Sequence, residues 1–126
     1  MNTLKHVGRI VFALPFLVFG INHFRYGSMM AGLVPSFIPG GAFWVYFIGA
    51  ALIAASVSLL INKLVKISGL LLAFTLLLFV LTIHLPGLWN PKMAQMAMMG
   101  LLKDTAMMGG AIMASVLFGN WEKKAK

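Results

Sequence analysis

Four stretches of this chain, at about 7–23, 42–61, 64–85 and 101–121, are apolar over lengths that a water-soluble domain does not carry side by side. A helix needs roughly 20 apolar residues to cross about 30 Å of hydrocarbon. Each stretch meets or approaches that length, and together they occupy most of the 126 residues. Only 10% of residues are charged, against about a quarter in soluble domains. The fold class that follows is an all-α integral membrane protein. It is a single membrane domain over residues 1–126, a four-helix transmembrane bundle with an ordered outer loop between the first two helices.

The charge pattern sets an expected orientation. Ten Lys and Arg stand against Asp104 and Glu122 alone, a formal charge of +8. The basic residues are dispersed between apolar runs and form no continuous patch, so nucleic acid is excluded as a partner. Lys5 and Arg9 precede the first span, Lys63 and Lys66 sit in the second connection, and Lys123, Lys124 and Lys126 end the chain. Four crossings place these seven on one side and leave Arg25, Lys92 and Lys103 for the other. By the positive-inside rule the larger group faces the cytoplasm, with both termini there, in a bacterial inner membrane. The chain has no cysteine, which excludes disulfides, thiol redox chemistry and Cys-ligated zinc or iron–sulfur centres. The first apolar run leads into the bulky "NHFRY" rather than a small-residue cleavage site, so it is expected to be a retained span.

The first and fourth spans are short, and this draws polar groups into the membrane boundary. Twelve residues separate Arg9 from Asn22, about 18 Å of helix. The apolar part of the fourth span, 105–119, supplies about 22 Å. An aspartate at mid-membrane costs roughly 3 kcal/mol or more. Asp104 is therefore expected to turn toward protein near the outer surface, while Lys103 snorkels outward. The third span ends in "FVLTIHLPG", which brings His84 to the same level as His23. The expected ligand-binding set is Asn22, His23, His84, Lys103 and Asp104, with Phe24, Phe43 and Trp44 as aromatic lining. No catalytic residue and no metal site are assigned. Each polar residue taken alone also reads as an interfacial anchor, and Arg25 and His6 read as solvated charges.

The connections and helix faces carry further signals. "RYGSMMAGLVPSFIPGG" combines Pro35, Pro39 and glycines, which predicts an ordered loop with one helical turn around 28–33 and with Phe37 and Ile38 lying back on the bundle. Asn90 before Pro91 reads as a helix N-cap and first position, predicting a short surface helix over about 91–99. Ala50, Ala54 and Ser58 on the second span, and Ala106, Gly110 and Ala114 on the fourth, repeat small residues every four positions, a pattern that lets helices approach closely. Pro15 is expected to bend the first span and release a carbonyl for a neighbour or ligand.

At "GINHF", "VPSFIPGGAFWVYFIGAALIAA", "FVLTIHLPG" and "LLKDTAMMGGA" the chain resembles the DoxX-like family of small bacterial membrane proteins, over about 8–114. The resemblance implies a four-helix transmembrane protein associated with membrane oxidoreduction, since the namesakes are subunits of a thiosulfate:quinone oxidoreductase. The polar positions that match are His23, His84, Lys103 and Asp104.

Four functions compete. The first is a redox-associated subunit that binds quinone or another amphipathic molecule near the outer leaflet, with a membrane or redox partner protein, or a second copy of the chain, as electron source or scaffold. Nothing in the chain performs redox chemistry itself, so it is not expected to be catalytic alone. The second is haem held by His23 and His84. The third is Cu(I) handling by Met93, Met96 and Met99 with Met29 and Met30, against which stands the ordinary use of methionine as an adaptable packing residue. The fourth is a non-enzymatic structural or assembly subunit of the lipid bilayer. Proton-coupled export lacks a mid-depth carboxylate.

Overall fold

The turn between the second and third long helices folds the chain back within three residues. Asn62 and Leu64 both adopt left-handed backbone, at φ 58° and 59°. Asparagine tolerates that conformation, whereas leucine pays about 1–2 kcal/mol for it. The Lys63 amide donates to the Ser58 carbonyl at 3.0 Å, the Ser58 hydroxyl donates to the Lys63 carbonyl, and Ser68 Oγ lies 2.8 Å from Ser58 Oγ. These bonds close the hairpin.

The computed structural model describes residues 2–121. The orientation count also used Glu122, Lys123, Lys124 and Lys126, which lie outside the described residues. The elements are α1 (Asn2–Arg25), α2 (Gly27–Met30) followed by a 3₁₀ turn (Ala31–Leu33), α3 (Ala42–Ile61), α4 (Val65–Phe79) continuing through a π-helical segment (Val80–His84) into α5 (Leu85–Gly87), and α6 (Ala94–Phe118). Among the described residues no strand occurs, and four helical rods are long and apolar enough to cross a membrane. The expected helical turn between the first two spans is present as α2 and its 3₁₀ extension.

Two expectations require correction. The segment 91–99 is not a separate surface helix, because α6 runs unbroken from Ala94 to Phe118. Gly100 does not break a helix supported on both sides, and Asn90 instead accepts the Lys92 amide at 3.0 Å, closing a turn ahead of the helix. Trp121 lies beyond the end of α6 and donates from its indole to the Ser115 carbonyl at 2.8 Å.

The small-residue faces also pack differently. Ala50, Ala54 and Ala106 are exposed, whereas Ala114 is buried in the core. The close approaches occur at other residues: a Cβ on Gly49 would lie 2.6 Å from His23 Cβ and 3.1 Å from the Gly20 carbonyl, and a Cβ on Gly69 would lie 2.9 Å from the Ala111 carbonyl. Glycine is required where one backbone meets another. Gly110 faces the Phe12 ring rather than a helix backbone. The chain thus forms two zipped hairpins, α1 with α3 at Gly20/Gly49 and α4 with α6 at Gly69/Ala111. Phe12, Phe16, Phe19, Leu52, Leu72, Leu76 and Phe79 fill the space between them. Pro15 lies inside α1, and the hydroxyl that reaches an α1 carbonyl is buried Ser56, which donates to Ala13 at 2.9 Å.

Candidate functional site at the α1 C-terminal end of the bundle

Side chains from α1, α3, α4, the π segment and α6, together with the 30–38 loop, enclose one cavity of about 570 Å³. All five polar residues singled out from the sequence, Asn22, His23, His84, Lys103 and Asp104, line it. Of the expected aromatic residues only Trp44 does. Phe24 stacks on Tyr46 with ring centroids 5.6 Å apart, and Phe43 lies exposed beside Trp44 and Phe47. Register sets the limit: the cavity takes the adjacent pairs Asn22–His23 and Trp44–Val45, and Phe24 and Phe43, each about 100° further round its helix, fall outside that arc. The aromatic walls are Phe16, Phe19 and Phe79 instead.

The strongest polar contact joins two rods. His84 Nε2 lies 2.7 Å from Asp104 Oδ2. A carboxylate only accepts, so Nε2 carries the proton, and a neutral ring keeps Nδ1 as an acceptor. Asp104 is 4% exposed, although it lies about 15 Å along α6 from Ala94. Because α6 begins earlier than expected, the carboxylate sits within a long helix rather than at its end.

The π segment explains how His84 reaches it. Pro86 has no N–H to offer the carbonyl four residues back and its ring crowds that carbonyl. The turn widens, and the Leu85 amide bonds Val80, five residues earlier. One wide turn re-aims the following side chains, as π-bulges do at many functional sites.

Each histidine rests on a glycine of a neighbouring helix. His23 Cβ is seated against Gly49 of α3, and the His84 ring against Gly100 of α6, where a methyl group would lie 2.5 Å from Cε1 and Nδ1. His23 Nδ1 lies 2.6 Å from the Phe19 carbonyl, so it is the donor and the neutral ring presents Nε2 as an acceptor. The same ring stacks on Phe79 at 6.4 Å. Lys103 Nζ stands 5.2 Å from the Phe19 ring centroid, a cation–π contact across α6 and α1. Gly49, Gly100 and Phe79 escaped the sequence reading. A glycine within an apolar helix, one turn or less from the level of a histidine on its neighbour, is the signal that points to them.

The loop roofs the cavity. Met30, Leu33, Val34, Pro35 and Ile38 face inward, whereas Phe37, expected to lie back on the bundle, is 81% exposed. Gly40 and Gly41 take positive φ, 110° and 43°, conformations open to glycine. They return the chain to α3 so that the Trp44 indole donates to the Pro39 carbonyl at 2.6 Å.

At the opposite end of the bundle His6 is not simply solvated. Its ring lies 5.4 Å from Phe118, and its Nδ1 accepts from Arg9 Nη2 at 3.2 Å. Arg9 Nη1 donates to the Leu59 and Leu60 carbonyls at 2.6 and 2.9 Å, capping the C-terminus of α3.

The geometry bears on the alternatives. Bis-histidine haem ligation needs a free nitrogen from each ring, and His84 commits Nε2 to Asp104 while its other side is packed on Gly100. Of the five methionines considered for Cu(I), only Met30 lines the cavity, and Met29, Met93, Met96 and Met99 are exposed. Among the described residues no three His, Cys, Asp or Glu are grouped to hold a metal ion. Residues 12–108 match the model of a family described as Domain of unknown function (DUF8561). No curated protein and no solved structure matches the chain.

Proposed function

The chain belongs to the DUF8561 family, and we propose that it is a multi-pass inner-membrane protein whose cavity binds a quinone or a similar amphipathic molecule near the outer leaflet. The observation that carries this reading is the buried Asp104–His84 pair set in the wall of a cavity that is otherwise mostly apolar. Ligand sites combine an apolar body with a few placed polar groups. His23 Nε2 accepts a hydrogen bond, Lys103 donates, and Asp104 exchanges a proton with the ligand while His84 holds the carboxylate in place. These residues bind and manage protons. Electrons come from a membrane or redox partner protein, in keeping with the resemblance to DoxX-like oxidoreductase subunits. The positive-inside rule, applied to Lys5, Arg9, Lys63 and Lys66, supports a cavity that faces outward.

Mass spectrometry of lipids retained after gentle detergent extraction tests this reading. The native protein is expected to retain a quinone, and His84→Ala to lose most of it. Equal retention by native protein and by both His84→Ala and Asp104→Asn overturns the reading. An externally labelled C-terminal tag in intact cells overturns the orientation.

A further inference from the structure

The polar groups are not spread evenly around the cavity. Asn22 and His23 come from α1, Lys103 and Asp104 from α6, and His84 and Thr82 from the π segment, where the Thr82 hydroxyl already donates to the Leu78 carbonyl at 2.6 Å. α3 contributes Trp44, Val45, Ile48 and Leu52, and the one polar side-chain atom among them, the indole N–H, is already bonded to the Pro39 carbonyl. α3 therefore offers only apolar contact, and hydrogen bonds come from the other elements. The cavity also opens on that apolar side. Four lining residues are exposed as well: Trp44 on α3 and Leu78 on α4, at 39% and 37%, Leu33 in the loop at 48%, and Lys103 on α6. A residue that does both stands at a mouth.

The fold accounts for the mouth. α3 and α4 are joined by the tight 62–64 turn at the far end, where Ser58 and Ser68 touch. α3 is zipped to α1 at Gly49 and α4 to α6 at Gly69, so each is held by a different partner as it leaves the turn. At the other end Trp44 of α3 and Leu78 of α4 both line the cavity. Outside it lie Phe47, Leu77 and Leu81, all exposed and apolar. That exterior suits hydrocarbon and not water.

Resting on the reading of the cavity as a ligand site, we infer that the ligand enters sideways from the bilayer between α3 and α4. It is a single-tailed amphiphile, its hydrogen-bonding head directed to the α1/α6 wall and its tail leaving between Trp44 and Leu78. A water-borne solute would instead enter past the 30–38 loop.

Photolabelling of the full chain in lipid nanodiscs tests the inference. The probes are two alkyl-tailed phenols, one with a diazirine on the ring and one with it midway along the tail, competed with an unlabelled tailed benzoquinone. Peptide mapping is expected to place ring label on segments 19–23 and 103–107 and tail label on 44–48 and 78–82, both displaced by competitor. Leu78→Trp, which narrows the mouth, is expected to slow tail labelling by about tenfold while the protein elutes unchanged in detergent. Displaceable labelling with the tail on the 30–38 loop overturns lateral entry and leaves the ligand site standing. Labelling that the competitor does not displace overturns both.

Discussion

The two ends of the bundle carry similar polar residues and use them in opposite ways. At one end Arg9 spends its guanidinium on the backbone carbonyls of Leu59 and Leu60 and on His6, and lies with Lys5 over the Phe118 ring. Its partners are groups that the helix terminus leaves unsatisfied in any case. At the other end His84 and Asp104 pair side chain to side chain from separate rods, beside a cavity. A cation on helix carbonyls completes the fold, whereas a carboxylate buried with only an imidazole for company keeps acceptor capacity turned toward whatever enters. The difference teaches that what marks a site is polar capacity left over beside a cavity, as on Asp104 and on the Nε2 of His23, and not the presence of a polar residue near a helix end.

Substitutions can break this comparison, beginning with those expected to do most. Gly49→Leu at the cavity end and Gly69→Leu at the Arg9 end both push side chains into backbone. Each is expected to cost roughly 3 kcal/mol or more, seen as loss of monodisperse protein in detergent. If Gly49→Leu folds normally, the hairpin description is wrong. Asp104→Ala strands His84, at a cost on the order of 1–3 kcal/mol, and should lower both the thermal midpoint and ligand retention. Asp104→Asn preserves shape and is expected to spare the midpoint while impairing partner-dependent quinone turnover.

Arg9→Ala sharpens the contrast from the other end. Loss of the α3 cap is expected to cost about 1 kcal/mol with ligand retention unchanged. Reduced retention would show that the two ends are coupled. Gly100→Ala tests the seat of His84: the methyl group must move the ring, so retention should fall more than stability does, by comparison of retained ligand with the midpoint in one preparation. Ala54→Leu is the smallest change, because Ala54 is exposed, and its midpoint should move by less than about 0.5 kcal/mol equivalent. A large loss would restore the small-residue face that the structure places outside the packing.

Much of the site was legible because membrane length is a strict ruler. Spans too short for their hydrocarbon pull polar residues inward, which reached Asn22, His23, Lys103 and Asp104, and the end of the third span added His84; the fold brings all five to one cavity. Local signals fared worse where they competed. Asn90–Pro91 started a turn and not a helix, and Gly100 did not end one, because neither signal outweighs a continuous apolar rod packed on its neighbour. The small-residue repeats were met in part: Ala114 is buried in the core and Gly110 meets Phe12, whereas Ala50, Ala54 and Ala106 are exposed, since spacing alone says that a helix surface is small and not what lies opposite.

Chain-local physics thus determined four helices long and apolar enough to cross a membrane, and the polar residues near their ends, because hydropathy and length depend on no neighbour. Tertiary structure decided the rest. The pairing of His84 with Asp104, the seating of both histidines on glycines, the displacement of Phe24 and Phe43 from the lining, and the π turn before Pro86 all depend on rotation of one helix against another. A rotation of one residue, about 100°, exchanges a cavity-facing side chain for an exposed one, and only the packing of the two glycine-zipped hairpins sets that angle.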